Sequence, residues 1–220
     1  MHTRKKIILD FDGTIFRLFT NYDLGKEAIK LQEMFKQYDI DFDCNLDPFV
    51  AFNIALNTNN HIKEEVLYKV NEIITKAEIA ALDSGVLVPG FLEFIEFSNE
   101  FNFSVSVVSN NSKECIDEFF NRFFCNIKIP CIGRIWNKPQ YMKPNTYLLE
   151  TMCDKLHASN KDVIFIGDNP RDYECAIKFN CEFIGMAPTL AKKKRILENT
   201  SNIKVLSNFY ELIDYLKKNI

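Results

Sequence analysis

Ile7-Ile8-Leu9-Asp10-Phe11-Asp12-Gly13-Thr14-Ile15 is the stretch that decides the reading of this chain. An apolar run near the start of a chain predicts a strand buried on both faces. It breaks into two carboxylates one residue apart, and the two-residue period of a strand points Asp10 and Asp12 to the same side. Like charges this close repel by about 4 kcal/mol at an effective dielectric of about 20, so something must compensate them. A divalent cation would.

Outward from this stretch the pattern changes twice. Apolar side chains recur at helical spacing over about 23–37, 46–57 and 61–83, with Asp23 and Asp47 as expected N-caps and Pro48 in a first turn. Leu24, Ala28, Leu31 and Phe35 form one stripe; Val66, Val70, Ile73, Ala77 and Ala80 form another. From Gly85 onward strands and helices alternate: a helix over 91–100, a strand over 103–108, and a helix carrying Ile116, Phe119 and Phe120. A helix over 144–156, a buried strand over 163–166, a helix over 171–179 and a strand over 182–186 follow. Residues 203–206 and 208–218 close the chain with a strand and a helix. Such alternation predicts an α/β fold with a doubly wound parallel sheet, interrupted after its first strand by a helical insertion.

Composition excludes several classes. The 27 basic and 30 acidic residues leave a net charge of −3, which argues against a dedicated nucleic-acid or membrane-surface protein. Lys192-Lys193-Lys194-Arg195 is the only dense basic cluster; with Glu198 after it and no interleaved aromatics, it reads as a solvated helix face. Seven cysteines without a C-x-x-C pair suggest neither a disulfide framework nor a zinc site. The apolar stretch before Asp10 is too short for a signal peptide, and no run approaches a membrane span. A reduced, cytoplasmic protein is the expectation. There is no P-loop and no Gly-x-Gly, so ATP and dinucleotide sites are not indicated.

Ligands of open α/β sheets bind beyond the carboxyl ends of the strands. After the first strand come Asp10, Asp12 and Thr14; after the second, Ser109 and Asn110; after 163–166, Gly167-Asp168-Asn169-Pro170-Arg171-Asp172. Lys143 precedes the helix leading into that last strand, although Lys138 is also followed by proline and leaves the choice of lysine open. Taken singly, each has an ordinary reading: a surface turn, a helix cap, a solvated lysine. Together they are acids for a magnesium ion plus a hydroxyl and a cation for phosphate oxygens.

These four segments, Asp10-Phe11-Asp12-Gly13-Thr14, Val107-Val108-Ser109-Asn110, Lys143-Pro144 and Gly167-Asp168-Asn169-Pro170-Arg171-Asp172, resemble the motifs of the haloacid dehalogenase-like hydrolase superfamily. The match spans nearly the whole chain. The helical block resembles that superfamily's C1-type cap, which implies a Rossmann-like core of residues 1–16 and 85–220 and a cap of residues 17–84.

The resemblance implies roles. Asp10 would be the nucleophile that becomes an aspartyl-phosphate, and Asp12 the acid that protonates the leaving oxygen and then activates water. Thr14 would orient these groups. Ser109 and Asn110 would hold phosphate oxygens, and Lys143 would offset charge. Asp10, the Asp12 carbonyl and Asp168 would bind Mg2+, with Asp172 bracing the site.

Dehalogenases lack the second acid of the first motif, so Asp12 favours phosphoester chemistry. The expectation is a Mg2+-dependent phosphatase of a small phosphorylated metabolite, a monomer or homodimer, without nucleic-acid or membrane partners. A phosphomutase of the same superfamily and a non-catalytic phospho-ligand-binding protein are the alternatives. Arg17, Asn21, Tyr22 and Asn53 are polar candidates for leaving-group contacts. Trp136 reads as a packing residue before a stacking one.

Overall fold

Ile7 and Leu9 face one helical layer and Ile8 the other, the alternation expected of a strand buried on both faces. These residues lie in β1 (Lys6–Leu9), which pairs in parallel with β4 (Ser104–Ser112) and β6 (Val163–Gly167). With β5 (Cys131–Arg134), β7 (Glu182–Met186) and β8 (Lys204–Leu206) they form a six-stranded sheet of order β5-β4-β1-β6-β7-β8, every neighbouring pair parallel. This is a doubly wound α/β sheet. The computed structural model describes residues 5–200 and 203–219; residues 1–4, 201–202 and 220, assigned to the core from sequence, lie outside the described residues.

Helices α4 (Phe91–Glu100), α5 (Lys113–Phe123) and α9 (Phe209–Asn219) cover one face, where Ile7, Leu9, Ile164 and Ile166 meet Phe94, Phe119 and Leu212. Helices α6 (Tyr147–Leu156) and α7 (Pro170–Phe179) cover the other, where Ile8, Val163 and Phe165 meet Leu149 and Cys175. Helix α8 (Leu190–Asn199) follows β7. Among the described residues no helix is long and apolar enough to cross a membrane.

Between β1 and β4 the chain leaves the sheet. Helices α1 (Gly25–Lys36), α2 (Ala51–Leu56) and α3 (Asn60–Ala81) enclose a separate apolar cluster that includes Leu31, Phe35, Phe52, Val66 and Val70. A two-stranded antiparallel pair, β2 (Phe16–Arg17) with β3 (Val86–Leu87), ties the ends of the excursion together. Strands of two residues are too short to leave a periodic pattern, and the sequence gives no sign of them.

Local chemistry explains most boundaries. Asp47 accepts a bond from the Phe49 N–H at 3.0 Å and Pro48 sits in the first turn, as expected, although a 3₁₀ turn (Pro48–Val50) separates that cap from α2. Asp23 does not cap α1; it accepts from Gly25 N at 2.9 Å and closes a turn one residue too early. The larger difference is at β4. Expected to end at Val108, it runs to Ser112, whose hydroxyl accepts from Cys115 N at 3.2 Å and starts α5. Ser109 and Asn110 therefore belong to the strand end and not to a helix cap. Their polar side chains have partners elsewhere in the molecule, which suits an extended backbone.

Candidate active site

The ends of β1, β4 and β6 converge on Asp10. Its N–H donates to Ile166 O at 2.8 Å, which fixes the backbone at the strand end. The Ser109 hydroxyl lies 2.9 Å from Asp10 Oδ1, and the Lys143 ammonium lies 2.6 Å from the same oxygen. Oδ2 has no hydrogen bond among the described residues.

Lys143 Nζ also reaches Asp172 Oδ1 at 2.6 Å and Val108 O at 3.2 Å, so its three protons have three acceptors. Burial disfavours its charge, yet Asp10 and Asp172 outweigh that and hold the ammonium above the ordinary lysine range. A reciprocal pair keeps the lysine in place: Lys143 N donates to Asn110 Oδ1 at 2.7 Å, and Asn110 Nδ2 donates to Lys143 O at 3.0 Å. Lys138, the alternative left open by sequence, instead lies 5.5 Å from the Tyr141 ring centroid.

The β6–α7 turn holds Asp168 and Asp172. Asn169 and Asp172 form a capping box, with Asn169 N donating to Asp172 Oδ2 at 3.0 Å, and Pro170 opens the helix. Gly167 is required by close approach: a Cβ there would lie 2.5 Å from an Asp172 carboxylate oxygen. Burial pushes both Asp168 and Asp172 up towards protonation, Lys192 opposing the shift at Asp168 and Lys143 at Asp172.

Asp12 lines the same cleft. Its Oδ1 accepts the Leu18 N–H at 2.8 Å, and burial pushes its pKa up to about 6 despite Lys192 and that N–H. Gly13 makes the turn at a φ of 87°, where a Cβ would also strike Asp168 and Lys192. The Thr14 hydroxyl is buried with no partner among the described residues.

Lys192 corrects the reading of the basic run. Lys193, Lys194 and Arg195 are exposed, but the Lys192 ammonium reaches Asp168 and forms an ion pair with it. Placed after β7, α8 aims its first turn at the carboxyl ends of the sheet. Charge patterning in one dimension carries no trace of that contact.

Asp10, Asp168 and Asp172 each offer a carboxylate oxygen within 4.8 Å of the others. This donor set is all hard oxygen and fits Mg2+, which takes one or two carboxylates and fills the rest of its shell with water and phosphate oxygens. The acids open into a cleft of about 880 Å³ whose other wall belongs to the helical block. Phe19, Leu24, Phe49 and Val50 line it there, and Arg171 lines it from the core. Of Arg17, Asn21, Tyr22 and Asn53, Asn53 alone lines the cleft; Asn21 is spent on Ser84 O at 3.0 Å. Trp136 packs on the helical block, edge-on to Tyr68 at 5.7 Å. The aromatic wall escaped the sequence reading because Phe19 and Phe49 look like any core residue.

The family model for haloacid dehalogenase-like hydrolases matches residues 7–186. No curated protein sequence matches the chain. Among solved structures, the fold is similar to a hydrolase from Pseudomonas syringae (15% identity, TM-score 0.67, covering 98% of this chain and 99% of that one). It is also similar to a predicted phosphatase from Clostridium acetobutylicum (14%, 0.66, 98% and 99%) and a HAD-superfamily hydrolase from Ehrlichia chaffeensis (18%, 0.59, 98% and 98%).

Proposed function

Because this chain belongs to the haloacid dehalogenase-like hydrolases, we propose that it is a Mg2+-dependent phosphatase that hydrolyses a small phosphorylated metabolite through an aspartyl-phosphate on Asp10. The observation that carries this reading is the asymmetry of Asp10. Lys143 and Ser109 both engage Oδ1, which leaves Oδ2 as the attacking oxygen beside an acid, Asp12, held near pKa 6.

In the first half-reaction Asp10 Oδ2 bonds to phosphorus and the ester P–O bond breaks. Asp12 gives its proton to the departing oxygen. In the second, the Asp12 carboxylate takes a proton from water, the water oxygen bonds to phosphorus, and Asp10 is released. Lys143 and the Ser109 hydroxyl balance the charge that builds on the phosphoryl oxygens. Asp10 and Asp168, with Asp172 beside them, would hold Mg2+, which would supply charge neutralisation when bound. Thr14 would position the first loop.

The helical block of residues 17–84 would act as the cap over the leaving group, with Phe19, Phe49 and Asn53 as contacts. A cytoplasmic setting suits seven cysteines that are all free thiols. The test is release of inorganic phosphate from p-nitrophenyl phosphate and a panel of metabolite phosphoesters, with Mg2+ or with EDTA. Metal-dependent release supports the reading. No release above background from any ester overturns it, and isomer formation without release points to a mutase.

A further inference from the structure

Arg134, the last residue of β5, has a side chain that is fully buried, as is that of its partner Glu78 on α3. A buried ion pair persists where its hydrogen bonds are met, and here they are met in full. Arg134 Nε donates to Asn71 Oδ1 at 2.8 Å; Nη1 donates to Glu78 Oε1 at 2.9 Å and to Asn110 O at 2.8 Å; Nη2 reaches Thr75 Oγ1 at 3.1 Å and Glu78 Oε2 at 3.2 Å. All five guanidinium protons have acceptors. The Phe52 ring, from the helical block, stacks at 4.7 Å.

Glu78 is equally committed. Beyond Arg134 it accepts from Asn111 Nδ2 at 3.1 Å and from the Ser112 N–H at 3.0 Å. Asn111 Oδ1 in turn lies 2.9 Å from the Ser109 hydroxyl, which lies 2.9 Å from Asp10 Oδ1. That hydroxyl has one proton and serves one of these two acceptors at a time. Asn71, Thr75 and Glu78 share one face of α3, while Val66, Val70 and Ile74 on the same helix pack into the insertion's own core. One helix therefore grips both the helical block and the strand end that carries Ser109.

We propose that Arg134 and Glu78 are positioning residues that fix the 109–112 segment from both sides, and so aim the Ser109 hydroxyl and the Asn110 amide at the phosphoryl group. This rests on the phosphatase reading above. Two of the segment's backbone groups, Asn110 O and Ser112 N–H, are satisfied by the pair itself. An apolar replacement would fill the space but could not orient them.

The test compares wild type with Glu78→Gln, Arg134→Lys and the double variant Arg134→Met/Glu78→Met. Hydrogen exchange read by mass spectrometry on the peptide spanning 109–112 reports the segment whether or not the protein turns over. Turnover is measured on p-nitrophenyl phosphate and on a bulkier phosphoester, with orthovanadate as the competing phosphoryl mimic. Each variant is expected to exchange faster at 109–112 and to lose up to about 10²-fold in kcat, by the same factor for both esters, with weaker vanadate inhibition. The double variant should recover a thermal midpoint close to wild type while kcat stays low, which a purely structural role would not produce.

Unchanged exchange at 109–112 overturns the proposal, as does wild-type kcat in the folded double variant. A loss that depends on the ester's leaving group also overturns it, because it assigns the pair to the cap alone. Wild type that turns over no phosphoester overturns the phosphatase reading instead. The exchange experiment then still decides whether the pair holds the segment.

Discussion

Lys143 Nζ lies 2.6 Å from Asp10 Oδ1, a buried contact between residues 133 positions apart. It joins the β1 end to the loop before α6 and fixes which Asp10 oxygen is engaged. Lys143→Ala should lower kcat by about 10²-fold or more, the scale of losing one charge-stabilising donor. Lys138→Ala, which removes an ammonium beside Tyr141, should stay near wild type. Steady-state kinetics on the two variants checks this, and a severe Lys138→Ala with a mild Lys143→Ala contradicts it.

Asp12→Asn keeps the shape of the first loop and removes the transferable proton. Turnover should fall by about 10²–10⁴-fold, the range for losing a general acid–base group. In kcat/KM, which reports the first half-reaction, the loss should shrink for esters whose leaving group needs no protonation, such as p-nitrophenyl phosphate, relative to an alkyl phosphate. An equal loss on both esters would remove Asp12 from the proton-transfer role.

The acids also predict how metal-free stability depends on pH. Burial raises Asp12 from 3.8 to about 6, and raises Asp168 and Asp172 as well. A carboxyl whose folded pKa exceeds its unfolded value contributes stability in full below the unfolded value, and loses it as pH rises through the folded one. The metal-free protein should therefore lose this contribution as pH rises from 3.8, through about 6 for Asp12 and on to about 7 for Asp168 and Asp172. Protons and Mg2+ compete for the same oxygens, so the rise in thermal midpoint on adding Mg2+ should be larger at about pH 7.5 than at about pH 5. An equal rise at both contradicts this, and Asp168→Asn should shrink it.

Lys192 offers Asp168 a cation from within the chain. Lys192→Met should free that carboxylate and lower the Mg2+ concentration for half-maximal thermal shift by about tenfold, equivalent to about 1.4 kcal/mol. Titration of both proteins with Mg2+ in the absence of substrate reads this directly. A weaker Mg2+ response in Lys192→Met would instead make the lysine part of what builds the site.

Sequence carried the parts of this molecule that depend on local pattern. The alternating β1 and β6, the helical insertion and the residues at strand ends were legible because burial on two faces and turn chemistry act over a few neighbours. What was hidden depends on partners far along the chain. Ser109 and Asn110 read as phosphate-holding residues at a strand end, but their bonds to Asp10 and Lys143 left no local trace. Lys192 looked solvated until α8 was placed, and nothing in the local pattern singles out Glu78 or Arg134, whose partners lie on other elements. Asp12 was readable as an acid, but not its turn towards Leu18.

The central claim is that Asp10 carries the phosphoryl group. Asp12→Asn retains the nucleophile but lacks the base that clears the intermediate, so it should trap one. Rapid acid quench of Asp12→Asn with Mg2+ and an activated ester such as p-nitrophenyl phosphate, followed by peptide mass spectrometry, should place a single phosphoryl adduct on Asp10. The Asp10→Asn protein should carry none and should lose turnover by about 10³-fold or more. An adduct on another residue, or substantial turnover in Asp10→Asn, would contradict the account.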